Sequence, residues 1–219
     1  MKTAKKAAAL AVLLALALSL AGCGTAMSDA SALLVQGNLD EIYLGKFDPA
    51  FLELVDVTEA EAEENYEQGL GVEADYFMQY FQIEYPTDEL RQEVVELYKD
   101  IYSHARYEVG EATKVNDTTY GVPVSVYPMD IMQKVSEQSE AAINELHQTY
   151  TQDVINADYE AYDHAWAEMI IGLCRDNLDS VGYLDPEDMV VQVTQNDSGV
   201  WTIYESDFSR VDGAIIYYP

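Results

Sequence analysis

The chain has 219 residues and carries 11 Lys and Arg against 40 Asp and Glu, a formal net charge of −29 at neutral pH. So large an excess of negative charge excludes nucleic acid as a partner, because phosphate binding needs a basic footprint. Two cysteines make no disulfide framework, so a chain of this length must rely on an apolar core.

The first residues read as an export signal. Lys2, Lys5 and Lys6 precede an almost unbroken apolar run from Ala7 to Leu20 that contains no acidic residue, the order of a charged n-region and an h-region. The run is shorter than the roughly 20 residues a spanning helix needs, and small residues follow it instead of a basic flank. Its end, "LAGC" from Leu20 to Cys23, resembles the lipobox of bacterial lipoproteins. In that family the matching thiol receives a diacylglycerol, and the peptide ahead of it is removed. The resemblance implies a signal peptide over residues 1–22, a lipid with palmitate-type chains on Cys23, and a protein held on the extracytoplasmic face of the cell membrane. The residues alone also allow a plain secretory signal with an incidental cysteine. Removal of the signal would leave eight basic residues against forty acidic ones, a net charge of −32. An anionic membrane surface repels such a domain, so the lipid on Cys23 would have to hold it there.

Residues 23–30, "CGTAMSDA", have the small side chains of a tether, and residues 31–219 suit one α+β domain. Leu33, Leu34, Leu39, Ile42 and Tyr43 predict a short helix or two, weakened by Gly37 and Gly45. Thr58 and Glu61 have capping-box spacing ahead of a stripe of Ala62, Tyr66, Leu70, Ala74, Phe77 and Phe81. Pro86 and Thr87 open a further helix, with Leu90, Val94, Leu97 and Ile101 as its core face.

The period then changes. Tyr107, Val109, Val122, Val124 and Val126 alternate around a turn at Asn116 and Asp117, which predicts a hairpin near 107–127, with Pro123 placing its second strand at a sheet edge. Two helices follow, one with Val135, Ala142, Ile143, Leu146, Tyr150 and Val154, the other with Tyr162, Ala165, Trp166, Met169, Leu173 and Cys174. They should pair antiparallel across a joint at 156–158. A second hairpin near 189–204 turns at Asn196 to Gly199. Both hairpins leave through a tyrosine with an aspartate three residues later, Tyr127 with Asp130 and Tyr204 with Asp207, a recurrence that either a worn internal duplication or, more simply, turn and cap chemistry repeated by chance would produce. The expected fold is α+β, with helices packed on a small antiparallel sheet of two hairpins, in the order helices, hairpin, helices, hairpin. Trp166, Leu173 and Trp201 should be buried.

The final hairpin, "SGVWTIYESDF", preceded by tyrosine-rich helices, resembles uncharacterised surface lipoproteins of Gram-positive bacteria. Some of these have cystatin-like or nuclear-transport-factor-like α+β folds, in which a curved antiparallel sheet packs on helices. Four predicted strands are fewer than that fold usually has. The resemblance implies location and architecture and supplies no catalytic residue.

Candidate chemistry rests on single residues. In "DYEAYDHAWAEM", His164 and Glu168 lie four apart on one helical face beside Asp163, a spacing that could offer two metal ligands. No His-Glu-x-x-His pairing accompanies them. "DNLDSVGYLDPED" has calcium-type oxygens without the spacing of an EF-hand loop. Cys174 sits on an apolar helical face and reads as core. No catalytic residue and no cofactor is expected. The function expected is a membrane-anchored, non-enzymatic module that binds a ligand or protein of unknown specificity, with a cationic peptide, a divalent ion or an envelope protein as the partners its charge would allow. The alternative is a metal-assisted hydrolase using His164 and Glu168.

Overall fold

A computed structural model describes residues 24–219, so the export signal and Cys23 lie outside the described residues. The elements in chain order are α1 (Gly24–Leu44), α2 (Pro49–Val55), α3 (Glu59–Tyr80), α4 (Asp88–Tyr102), β1 (Arg106–Val109), β2 (Thr113–Asn116), β3 (Thr119–Tyr127), α5 (Ile131–Thr149), α6 (Gln152–Ala157), α7 (Tyr159–Leu178), β4 (Glu187–Gln195), β5 (Trp201–Ile203) and α8 (Glu205–Ile215). The fold is α+β, in the predicted order, and it gathers into two compact units. The first takes 24–69, then 105–128 and 185–215; the second takes 70–104, 129–184 and 216–219.

The first unit holds the sheet. Its five antiparallel strands run β1–β3–β4–β5, with β2 also paired to β3. The two predicted hairpins therefore join edge to edge through β3 and β4, with Val122 opposite Val191 and Val124 opposite Met189. Val122, Val124, Val126, Met189, Val191 and Val193 are buried on one face, together with Trp201 and Ile203. Helices α1 and α8 pack against β3 and β4, and they bury Leu34, Val35, Phe208, Val211 and Ile215. Pro123 and Val190 point to the opposite, exposed face.

Three expectations need correction here. The first hairpin has three strands, not two, because residues 110–112 interrupt its outer strand. Its second strand is central, although it contains Pro123. The reason is that β1 pairs with residues 124–127 and β2 with 119–121, so Pro123 falls at the gap between them. Its carbonyl accepts from Gly110 N at 2.8 Å on that side, where no ladder bond asks for the missing N–H. The third correction concerns the tether, since residues 24–30 belong to α1 and bury Met27 and Ala30.

Gly37 does not weaken α1; it makes room for its neighbour. A Cβ there would lie 2.1 Å from the Phe51 ring of α2, and Phe51 is fully buried. Gly45 ends α1 at φ +57°, a conformation that favours glycine. At α2, Asp48 accepts from the amides of Ala50 and Phe51, and Pro49 occupies the first helical turn. The capping box of α3 forms as predicted: Thr58 N donates to Glu61 Oε2 at 2.9 Å, and Glu61 N donates to Thr58 Oγ1 at 3.3 Å.

The second unit is helical. It contains the later part of α3, and α7 packs against both α4 and α5. Thr87 caps α4 by accepting from Leu90 N, and Leu90, Val94, Leu97 and Ile101 are buried as their spacing predicts. Helices α5 and α7 pair antiparallel, with Gln138 bonded to Asn177 at one end and His147 to Tyr162 at the other. The joint between them is longer than expected, because α6 forms within it and takes Val154 off the end of α5. Trp166 and Leu173 are half-buried, whereas Trp201 in the first unit is 5% exposed.

Candidate functional site

In the second unit, α7 presents Asp163, His164 and Trp166 to the connection between α3 and α4, and each is engaged by its backbone. Asp163 is buried and accepts from Glu84 N and Tyr85 N at 2.9–3.1 Å. His164 Nε2 donates to Tyr85 O at 3.0 Å, and Trp166 Nε1 donates to Phe81 O at 2.8 Å. Gln82, between these anchors, has φ 56°. A loop with one left-handed residue must satisfy its backbone groups locally, and α7 supplies the partners. These three side chains form a clamp.

His164 is thus committed to a carbonyl through one ring nitrogen, while Glu168 lies one turn further along and is exposed. Among the described residues no group of three or more His, Cys, Asp or Glu side chains is placed to hold a metal ion. The predicted pair shares a helical face, and no third such side chain joins it among the described residues. Cys174, read as core, is fully buried, and burial pushes its thiol up to about 12. Nearby, the hydroxyls of Tyr98 and Tyr218 lie 2.9 Å apart, and burial holds both well above the usual tyrosine range.

In the first unit, α1 carries the unusual group. Glu41 is 2% exposed, Asn65 of α3 bonds its carboxyl, and its Oε2 has no hydrogen-bond partner among the described residues. Burial pushes its pKa up from 4.5 to about 7 against the opposing effect of the Asn65 bond. Its neighbours on α1 are anchored: Asp40 accepts from Tyr107 Oη at 2.6 Å and from Gln36 at 2.9 Å, and Tyr43 Oη donates to Asp212 at 3.0 Å. Burial, and then the bond to Asp40, raise the Tyr107 hydroxyl pKa. Ser31 and Asn38 donate to their own helix at Met27 O and Leu34 O. These contacts join α1 to α8 and β1, so α1 is the spine of this unit. A shallow depression of about 330 Å³ opens at the start of α8, lined by Tyr204, Glu205, Ser206 and Ser209.

No family model and no curated protein matches the chain. Among solved structures, a candidate lipoprotein (ycdA) from Bacillus subtilis is similar, with a TM-score of 0.58 and 14% identity. The likeness is one of fold. It covers 86% of this chain and 56% of that one, so the chain spans little more than half the length of its neighbour.

Sequence reasoning placed Asp163 beside the candidate ligands but missed its task as a clamp. It also missed Glu41, whose signal was a charged residue set among apolar positions of a helix. The recurring aspartates reach beyond their own turns, and Asp130 makes no side-chain cap bond to α5. Asp130 accepts from Gly182 N at 2.8 Å and Asp207 from Gln192 N at 3.0 Å, so each ties the start of a helix to a distant backbone amide.

Proposed function

We propose that the protein is a lipoprotein, anchored by a diacylglycerol on Cys23 to the extracytoplasmic face of the cell membrane, where its domain acts as a non-enzymatic binding module. The observation that carries this reading is the lipobox at Leu20 to Cys23 behind a complete export signal, on a chain whose fold is shared with a candidate lipoprotein of a Gram-positive bacterium. Among the described residues no helix is long and apolar enough to cross a membrane, and attachment through a lipid on Cys23 needs none. Asp163 and His164 of α7 are engaged by backbone groups of the connection between α3 and α4, which supports binding over catalysis by His164 and Glu168. The charge of the mature chain selects a cationic peptide, a divalent ion or a basic patch on an envelope protein as the class of partner. Exposed aromatic faces at Tyr85 and Tyr159, whose rings meet at 6.0 Å, suit the cationic peptide best among these.

The test is Cys23→Ala in cells fed a fatty-acid analogue and then fractionated. The variant should take up no label and leave the membrane fraction or persist as an uncleaved precursor. Label and membrane retention equal to wild type would refute lipid anchoring.

A further inference from the structure

The place where the folded body begins decides how an anchored protein meets its membrane. Helix α1 starts at Gly24, one peptide bond beyond Cys23, and its first turns already belong to the core: Met27 and Ala30 are 7% and 8% exposed, and Ser31 is fully buried. Ser28 Oγ donates to Ala112 O, which fastens the same turns to the connection between β1 and β2. Adjacent Cα atoms are about 3.8 Å apart and a helix rises about 1.5 Å per residue, so Ser28 lies within roughly 10 Å of the Cys23 Cα. No length of chain remains to act as a spacer.

We infer that the protein is mounted on the bilayer without a linker, so that the first turns of α1 and the connection at residues 110–112 form the surface that abuts the lipid headgroups. This rests on the lipidation of Cys23 proposed above. The separation is about one Debye length at physiological salt, so charges on this surface feel the headgroups. Asp29 and Glu111 are exposed there, and the whole domain is strongly acidic. An anionic leaflet repels the exposed carboxylates of the first unit, so α1, held only at its start, rises from the surface instead of lying along it. The far end of α1 lies about 30 Å from its start.

Depth-dependent quenching tests the mounting. Glu111→Cys and Lys46→Cys place a fluorophore at the near and far ends of α1; both native residues are exposed, and the buried, high-pKa Cys174 does not compete for the label. Each full-length variant is expressed with its signal, purified, and checked for the diacylglyceryl group by mass spectrometry. It is then reconstituted into phosphatidylethanolamine and phosphatidylglycerol vesicles containing a headgroup-spin-labelled lipid. Quenching should be several-fold stronger at position 111 than at 46, and a Gly/Ser spacer inserted after Cys23 should reduce it to the level at 46. Equal quenching at the two positions, or no effect of the spacer, in protein shown to carry the lipid would overturn the linker-free mounting and leave the anchor intact. A Cys23 without diacylglycerol would overturn the anchor and the mounting with it.

Discussion

Replacing Glu41 by Gln removes the one buried carboxyl with an unpartnered oxygen among the described residues while keeping its shape. An acid whose folded pKa is raised from 4.5 to about 7 is protonated in the folded chain over a range where the unfolded chain has released its proton. Its contribution to stability is complete below about pH 4.5 and is lost as pH rises toward and through 7. At 1.36 kcal/mol per pH unit, a difference of about 2.5 units makes the ionised group destabilising by about 3 kcal/mol at pH 8, and by roughly half that near pH 5.8. Glu41→Gln does not titrate. Its stability relative to wild type should therefore rise with pH, from near equality at pH 4.5 to about 3 kcal/mol in its favour at pH 8. Urea unfolding at four or five pH values, read through the buried Trp201 of the same unit, measures this difference. The other carboxylates are shared by the two proteins and cancel. A constant offset across the range would refute the reasoning, because it would mean that Glu41 ionises in the folded state as it does in the unfolded one.

Trp201→Ala should lower stability by about 3–5 kcal/mol, since its ring is 5% exposed and meets Tyr120 edge-on at 5.7 Å; an unchanged urea midpoint would contradict that packing. Asp163→Ala strands the amides of Glu84 and Tyr85 at a loss of roughly 1–3 kcal/mol for each group left unsatisfied. Their hydrogen exchange should accelerate, whereas an unchanged rate would mean that the clamp is redundant. Gly37→Ala should destabilise by about 1–3 kcal/mol, despite the better helix propensity of alanine, because the added methyl meets Phe51. Gly172→Ala on α7, where nothing lies within 4 Å, should instead gain about 0.5–1 kcal/mol by the same urea unfolding. Equilibrium dialysis against zinc should show no stoichiometric binding that His164→Ala removes.

The fold was legible where local chemistry and tertiary structure agree. Thr58 and Glu61 bond each other within one turn, and Asn196 holds the amides of Ser198 and Val200, so neither feature needs the rest of the chain. The start of α1 was not legible, because this helix is buried on more than one side. Met27, Ala30, Ser31, Leu34, Val35, Asn38 and Leu39 are all buried, and so many inward positions leave no clean stripe to read. Gly37 and Pro123 misled for a related reason. Each is unfavourable by propensity, and each is tolerated or required by a neighbour distant in sequence, Phe51 in one case and the break between β1 and β2 in the other.

The candidate site shows the same limit from the side of chemistry. Spacing of four on a helix puts His164 and Glu168 on one face, but a ligand set also needs a third group brought from elsewhere, and only the fold can say whether one arrives. What arrives at His164 is a carbonyl, that of Tyr85, and what arrives at Asp163 is a pair of backbone amides. A carboxylate that receives amide donors and an imidazole that meets a carbonyl are complementary to a peptide loop. The polar cluster on α7 is therefore accounted for by the chain connection it holds, and the burial of Asp163 follows from its being satisfied there.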